Sequence, residues 1–142
     1  MNKKNITKNK TILLAESFPA GRKIMIEILK MLGYKYKIAE SGYEVILSLK
    51  KEKIDLIILD LELPQFDGFE TLEHIRRNLD YPINATPIIA MTNRDFSEDF
   101  NETYKEEGFD ALIIKPFSLN DLDEIIKKVL FNSNSIKKKK AY

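Results

Sequence analysis

Five polar residues come directly after short apolar runs of this sequence, and together their side chains could do chemistry. They are Glu16, Ser17, Asp60, Thr92 and Lys115. Two facing carboxylates repel each other, and a divalent cation between them, Mg²⁺ above all, best explains such a pair. A nearby lysine balances the remaining charge or receives an anion, and a hydroxyl can donate a hydrogen bond to a phosphoryl oxygen. If the fold brings the five together, they form a phosphoryl-handling site in which a carboxylate of the chain is the acceptor.

The apolar runs predict the elements that position these residues. Strands are predicted at 11–15, 34–39, 54–60, 87–91 and 111–114. Apolar residues at helical spacing predict helices at about 19–32, 42–51, 68–79, 97–107 and 119–131. Five strands that alternate with five helices indicate an α/β fold, in which a parallel sheet is covered by helices on both faces. Because parallel strands deliver their carboxyl ends to one edge, the polar residues are expected to meet there.

Asp60 ends the most apolar of these runs. The residues before it, Leu56-Ile57-Ile58-Leu59, predict a strand that is buried on both faces. Pro64 and Gly68 interrupt regular structure behind it, so a loop follows the strand. The alternative interpretation is that Asp60 only caps a turn or a helix. Polar groups at three other predicted strand ends favour a ligand site instead.

Length and composition exclude several classes of protein. A chain of 142 residues is expected to form one domain. The absence of cysteine excludes disulfides, a thiolate metal site and a cysteine nucleophile. No apolar run approaches the roughly 20 residues of a membrane-spanning helix. Because no apolar segment follows the basic N-terminus, no signal peptide is predicted, and we expect a cytoplasmic protein.

Charge is unevenly distributed along the chain. Residues 1–10 and 132–142 each carry four lysines and no acid, whereas residues 11–131 carry fifteen basic and 22 acidic residues, a net charge of −7. This pattern predicts an acidic domain at 11–131 with basic tails at 1–10 and 132–142, the second of them disordered. The lysine run 137–140 is interpreted as a solubilising end rather than a contact for nucleic acid or anionic lipid.

Four segments in order, ILLAES, LIILDLELPQFDGFE, PIIAMTN and GFDALIIKPF, carry a resemblance to a known family. Over residues 11–131 the chain resembles the receiver domain of two-component response regulators, of the kind found in the chemotaxis regulators. The resemblance implies a flavodoxin-like, doubly wound sheet with strand order 2-1-3-4-5. It also implies a site at the switch point between the first and third strands.

The resemblance implies a role for each polar residue. Asp60 occupies the position of the phosphoacceptor, and Glu16 matches the first acid of the pair that binds Mg²⁺. Glu62 falls where a backbone carbonyl ligates the metal. Thr92 and Lys115 match the residues that contact the phosphoryl group, and the bond between Lys115 and Pro116 would be the cis peptide common in the family.

Three positions depart from the family pattern. Ser17 replaces the second acid of the metal-binding pair, so Mg²⁺ binding is expected to be weak, and whether Ser17 is a ligand or only caps the first helix stays open. Asn93 replaces a small residue beside the phosphoryl group. Leu112 replaces the switch aromatic, so an aromatic flip cannot carry the signal.

These observations lead to one functional hypothesis and two rivals. We expect a stand-alone, non-enzymatic receiver that takes a phosphoryl group on Asp60 from a histidine kinase or a histidine phosphotransfer protein and signals by contact with a downstream protein. Nucleic acid is not an expected partner. The first rival is a pseudo-receiver, a binding module that works without phosphorylation, which Ser17 and Leu112 favour. The second is a flavin or nucleotide enzyme on the same fold, which residues 16–22, with one glycine and one serine, disfavour.

Aromatic residues recur at helical spacing on the predicted fourth helix, at Phe96, Phe100 and Tyr104. Packing of this helix on the sheet is the favoured interpretation, and a surface for a partner is the alternative.

Overall fold

A computed structural model describes residues 9–93 and 98–140. Its five strands form one parallel sheet in the order β2-β1-β3-β4-β5. The strands are β1 (Thr11–Ala15), β2 (Lys35–Ala39), β3 (Leu56–Asp60), β4 (Ile88–Asn93) and β5 (Ala111–Lys115). The helices are α1 (Pro19–Leu32), α2 (Gly42–Lys51), α3 (Gly68–Asn78), α4 (Glu98–Glu107) and α5 (Leu119–Lys140), and a short 3₁₀ turn spans Ile83–Ala85. The predicted fold class and strand order are confirmed.

Strand β3 lies at the centre of the sheet, and its side chains alternate between two apolar layers. Ile57 and Leu59 pack in the layer under α2, α3 and α4, whereas Leu56 and Ile58 pack in the layer under α1 and α5. All four side chains are fully buried. A strand buried on both faces needs apolar residues at every position, which is why this run shows no alternation in the sequence.

Local signals set the ends of several helices. Helix α1 ends at Gly33, whose left-handed backbone (φ 82°) lets its N–H reach the carbonyl of Lys30. Ser41 caps α2, and Asp67 with Glu70 forms a capping box at the start of α3. The Ser118 hydroxyl accepts a hydrogen bond from the Asp121 N–H and so caps α5.

The last helix is longer than predicted. Helix α5 continues beyond its predicted end at about residue 131 to Lys140, into the segment 132–142 that was expected to be disordered. The sequence after Phe131 contains neither glycine nor proline, so nothing in it forces the helix to end. Residues 1–8 of the N-terminal tail lie outside the described residues.

A partly buried arginine joins several elements at the amino end of the sheet. The Arg76 guanidinium donates to the carbonyls of Gly108, Asn84 and Thr86 and to the carboxylate of Asp110, with N–O distances from 2.7 to 3.1 Å. The same Asp110 oxygen accepts a hydrogen bond from the Ile88 N–H at 2.8 Å. These contacts fix the starts of β4 and β5 against α3. No helix within the described part of the chain is long and apolar enough to cross a membrane.

Candidate functional site

Three charged side chains meet at the carboxyl edge of the sheet, where β1, β3 and β5 end. The Lys115 ammonium lies between two carboxylates, 2.9 Å from Glu16 Oε2 and 3.0 Å from Asp60 Oδ2. The side chains of Glu16 and Asp60 are 2% and 9% exposed, whereas that of Lys115 is 35% exposed. The sequence placed these residues at one edge, and the structure brings them into direct contact.

Each of the four carboxylate oxygens at this edge accepts a hydrogen bond. Lys115 occupies one oxygen of each carboxylate, and backbone N–H groups occupy the others. The Phe18 N–H donates to Glu16 Oε1 at 3.1 Å, and the Glu62 N–H donates to Asp60 Oδ1 at 2.8 Å. The two carboxylates are therefore held in fixed orientations around a single ammonium group.

One ammonium beside two carboxylates leaves an excess negative charge in a buried place. Burial raises the pKa of Glu16, the neighbouring Asp60 raises it further, and Lys115 counteracts only part of this. Burial by itself would lower the pKa of Lys115, but its hydrogen bonds to Glu16 and Asp60 and their charges outweigh burial, so the pKa of Lys115 is raised. The charge imbalance at this edge therefore raises the pKa of Glu16 as well as that of Lys115.

The remaining predicted residues lie around this charged group. Thr92 is buried and follows Met91, the register partner of Asp60. The Ser17 hydroxyl donates to the Glu62 carbonyl at 3.5 Å, so these two possible oxygen ligands lie together beside Asp60. The oxygens of Glu16, Asp60, Glu62 and Ser17 match the ligand preference of Mg²⁺. Within the described residues, however, no three carboxylate, imidazole or thiolate side chains converge. The side chains that fit Mg²⁺ here therefore include two carboxylates, which supply one negative charge fewer than a site with three.

The loop behind Asp60 is held in an unusual backbone conformation. Gln65 and Phe66 both have positive φ angles, 48° and 75°, in the left-handed region. The start of α2 lies against this loop, because the N–H groups of Gly42 and Tyr43 donate to the carbonyls of Pro64 and Gln65. A Cβ on Gly42 would collide with Phe66 and Thr71, so only glycine allows this close approach.

The positions that depart from the family pattern lie next to the site along β4 and β5. Asn93 pairs in register with Lys115, and the Lys115-Pro116 peptide bond is cis, as expected. Leu112 is half-buried and packs against the apolar layer that holds Phe69, Phe100 and Phe109. These three rings meet edge to face at centroid distances from 5.4 to 6.0 Å. A compact aromatic cluster therefore belongs to the same apolar layer as the leucine that replaces the switch aromatic.

The aromatic residues of α4 follow the favoured interpretation where they are described. Phe100 is buried in the core, and Tyr104 packs against the same apolar layer. Phe96 lies outside the described residues.

Two residues of α1 that the sequence analysis did not select also belong to this edge. Arg22 donates hydrogen bonds to the backbone carbonyls of Glu16 and Ser17. Gly21 lies against the Glu16 carboxylate, since a Cβ there would be 3.4 to 3.7 Å from its carboxyl atoms. A positive side chain near the start of the predicted helix, six residues after Glu16, was the only signal for Arg22 in the sequence, and many surface helices carry such a residue.

Comparison with known proteins identifies the family of this chain. A sequence model of the response regulator receiver domain matches residues 12–127. The chain belongs to the response regulator receiver domain family. Receiver domains are signalling domains of two-component systems, and the five-stranded fold is that of the receivers.

Relatives of this receiver are found in several contexts. The chain is 33% identical to a probable transcriptional regulator, ycf27, of Guillardia theta over 128 residues, which cover 90% of this chain and 48% of that protein. It is 31% identical to the peroxide stress-activated histidine kinase mak1 of Schizosaccharomyces pombe over 133 residues, which cover 89% of this chain and 8% of that protein. This chain thus spans less than half the length of either relative.

The fold of this chain is also similar to that of a receiver domain whose structure has been solved. The receiver domain of a sensor histidine kinase from Pseudomonas aeruginosa superimposes with a TM-score of 0.76 at 27% identity, covering 86% of this chain and 98% of that one. That protein has a magnesium ion coordinated in its active site cleft.

Proposed function

We propose that this receiver accepts a phosphoryl group on Asp60 from the phosphohistidine of a histidine kinase or a histidine phosphotransfer protein, and passes the signal on by contact with another protein. The observation that carries the proposal is the position of Asp60. It ends the central buried strand, and the Glu62 N–H and the Lys115 ammonium fix its two oxygens. A carboxylate held by a backbone donor and a cation is a preorganised nucleophile.

The proposed transfer needs no other covalent group from this chain. An Asp60 oxygen forms a bond to phosphorus as the phosphorus–nitrogen bond of the phosphohistidine breaks, and the imidazole nitrogen leaves with the electron pair. Lys115 lies where its ammonium can shift from the carboxylate to the new phosphoryl oxygens. The Thr92 hydroxyl follows the residue that pairs with Asp60 and would donate to another phosphoryl oxygen. Such positioning and charge neutralisation supply most of the catalysis in phosphoryl transfer.

Magnesium is the metal that we propose for this site. The carboxylates of Glu16 and Asp60 and the Glu62 carbonyl would hold it, and the Ser17 hydroxyl would contribute a neutral oxygen. When bound, Mg²⁺ neutralises charge on the phosphoryl oxygens. Lys115 contacts the same two carboxylates, so its ammonium and the metal would share them.

The proposal is tested by phosphorylation with a small donor. The chain is incubated with acetyl phosphate and Mg²⁺, and intact mass spectrometry measures the addition of one phosphoryl group. We expect one addition to the wild type and none to Asp60→Asn, which keeps the shape of the side chain but removes the nucleophilic charge. Addition to Asp60→Asn at the wild-type level would contradict the assignment. No addition to the wild type would return us to the binding-module hypothesis, which nothing beyond Ser17 and Leu112 favours.

The partners follow from the same proposal. A phosphohistidine donor implies a histidine kinase or a phosphotransfer protein, and the relationship to the histidine kinase mak1 is consistent with this. The identity of the downstream protein, the stand-alone role and the cytoplasmic location stay predictions.

A further inference from the structure

We propose that Arg22 is a positioning residue that holds the Glu16–Ser17 backbone in the conformation required at the phosphoacceptor edge. The inference rests on the proposed function, since it assigns a role in preparing that site. Arg22 Nη1 donates to the Glu16 carbonyl at 3.3 Å and to the Ser17 carbonyl at 3.5 Å. One guanidinium nitrogen therefore contacts two consecutive carbonyl groups between β1 and α1.

The guanidinium is itself anchored to a second strand. Arg22 Nη1 lies 2.8 Å from the Glu40 carboxylate, directly after the end of β2, and the Arg22 side chain is only 20% exposed. The Glu40 N–H donates to Glu44 at the start of α2, which ties this acid to the next helix. Arg22 thus connects the backbone before α1 to the edge strand and to the helix behind it.

Besides the Arg22 guanidinium, a few hydrogen bonds restrain this segment, one of them from the Ser17 hydroxyl to the Glu62 carbonyl. Phe18, the residue at the start of α1, has no side chain that could cap the helix, and Pro19 follows it without an N–H. The Glu16 N–H is bound to the Ala39 carbonyl, and the Phe18 N–H is bound to the Glu16 carboxylate. The Glu16 and Ser17 carbonyls of this turn accept hydrogen bonds from the guanidinium, and the Phe18 carbonyl accepts one from the Arg22 backbone N–H. Movement of the turn would displace Glu16, Lys115 and Asp60 together, because they share one set of contacts.

The positive charge of Arg22 and its positioning role would have opposite effects on the affinity of the site for a metal ion. If Arg22 acted only as a nearby positive charge, its removal would strengthen cation binding. If it positions Glu16 and Ser17, its removal weakens cation binding, because the ligands are no longer held in place. The sign of the change therefore separates the two roles.

The experiment compares Arg22→Ala and Arg22→Lys with the wild type. The control is Arg77→Ala, since Arg77 is 77% exposed and its ion-pair partner among the described residues is Glu73 on its own helix. Nuclear magnetic resonance measures the hydrogen exchange of the Phe18 amide, whose partner is the Glu16 carboxylate, and the dissociation constant for Mg²⁺. The thermal midpoint and the exchange of amides in β1 report whether the fold is intact.

We expect Arg22→Ala to speed exchange of the Phe18 amide and to weaken Mg²⁺ binding by about threefold to tenfold, the range that loss of one or two hydrogen bonds would give. Arg22→Lys should fall between Arg22→Ala and the wild type, and Arg77→Ala should match the wild type. Unchanged Phe18 exchange, or tighter Mg²⁺ binding in Arg22→Ala, would overturn the proposal. Because amide exchange requires neither metal nor phosphorylation, it decides the role of Arg22 even if Asp60 accepts no phosphoryl group.

Discussion

Two cationic side chains lie partly buried at opposite ends of the same sheet, and their surroundings differ in charge. At the amino end, Arg76 contacts one carboxylate, that of Asp110, and three backbone carbonyls. At the carboxyl end, Lys115 contacts two carboxylates, those of Glu16 and Asp60. The first group is electrically balanced, whereas the second carries one negative charge more than its cation neutralises.

The difference in net charge distinguishes the Arg76 group, which stabilises the fold, from the Lys115 group, which carries an uncompensated charge. Burial lowers the pKa of Arg76 and raises that of Asp110, but each partner stabilises the charge of the other, and the remaining donors of the guanidinium meet carbonyl groups. The Arg76 group therefore has no unbalanced charge that an ion from solution would neutralise. At the Lys115 end, the excess buried charge is unfavourable for the fold. On the proposed function, a divalent cation or the conversion of Asp60 into an acyl phosphate would use this charge, so the site would give up some stability in favour of reactivity.

The largest expected effect comes from removing the arginine. Arg76→Met would leave three backbone carbonyls without their donor and remove the partner of the partly exposed Asp110 carboxylate, and the loss of several charge-assisted hydrogen bonds costs about 3–5 kcal/mol of unfolding free energy. Denaturant unfolding would measure it, and Mg²⁺ should not restore the loss. Arg77→Met is the matched control, because its exposed ion pair with Glu73 is worth at most about 1 kcal/mol. A loss no larger than the control's would show that Arg76 is not a structural anchor.

Removal of the lysine should cost less and should respond to metal. Lys115→Met leaves two buried carboxylate oxygens without a donor, for which we expect a loss of about 1–3 kcal/mol of unfolding free energy. Because Mg²⁺ can take the place of the ammonium, millimolar Mg²⁺ should recover much of this loss and should bind more tightly than to the wild type. Unfolding is measured with and without Mg²⁺. Recovery of Arg76→Met by Mg²⁺, or none for Lys115→Met, would break the contrast between the two ends.

The sequence predicted the carboxyl end far better than the amino end, and the reason is physical. Asp60, Glu16 and Lys115 each follow an apolar strand, so the geometry of a parallel sheet was enough to bring them to one edge. Arg76 lies in a helix beside Arg77, and the two look alike in the sequence although one is partly buried and the other is exposed. Only the tertiary position of Gly108 and Asp110 distinguishes them. Arg22 was missed for the same reason.

The ends of the helices also show that local sequence signals predict only part of the structure. Caps at Ser41, Asp67 and Ser118 are short-range signals, and α2, α3 and α5 begin where they indicate. The end of α5 has no comparable signal, since charge composition alone suggested a disordered tail. Lysine is nonetheless a good helix former, and a helix that is already nucleated can extend through such a segment.

A further prediction concerns a substitution that increases the charge difference between the two ends of the sheet. Ser17→Asp adds a third carboxylate next to the Glu62 carbonyl, so Mg²⁺ should bind roughly threefold to tenfold more tightly than to the wild type. Ser17→Asn is the control, since it has a similar shape and an oxygen ligand but no charge. Titration with Mg²⁺ followed by amide chemical shifts would measure both variants. If Asp and Asn bind alike, charge at position 17 does not reach the metal.

The smallest effect concerns the pH dependence of stability. The pKa of Glu16 in the folded chain is raised above 4.5, chiefly by burial. The folded state therefore holds this proton longer than the unfolded state, so the contribution of Glu16 to stability is full below pH 4.5 and is lost as pH rises through the folded pKa. Glu16→Gln removes this titration and keeps an oxygen that can accept from Lys115. We expect the unfolding free energy of Glu16→Gln, relative to wild type, to rise across that window and then level off, with exposed Glu73→Gln as the control in urea unfolding at several pH values. A relative stability that falls with pH would mean that Lys115 stabilises the Glu16 carboxylate by more than burial costs it, and the excess charge would then not be a strain on the fold.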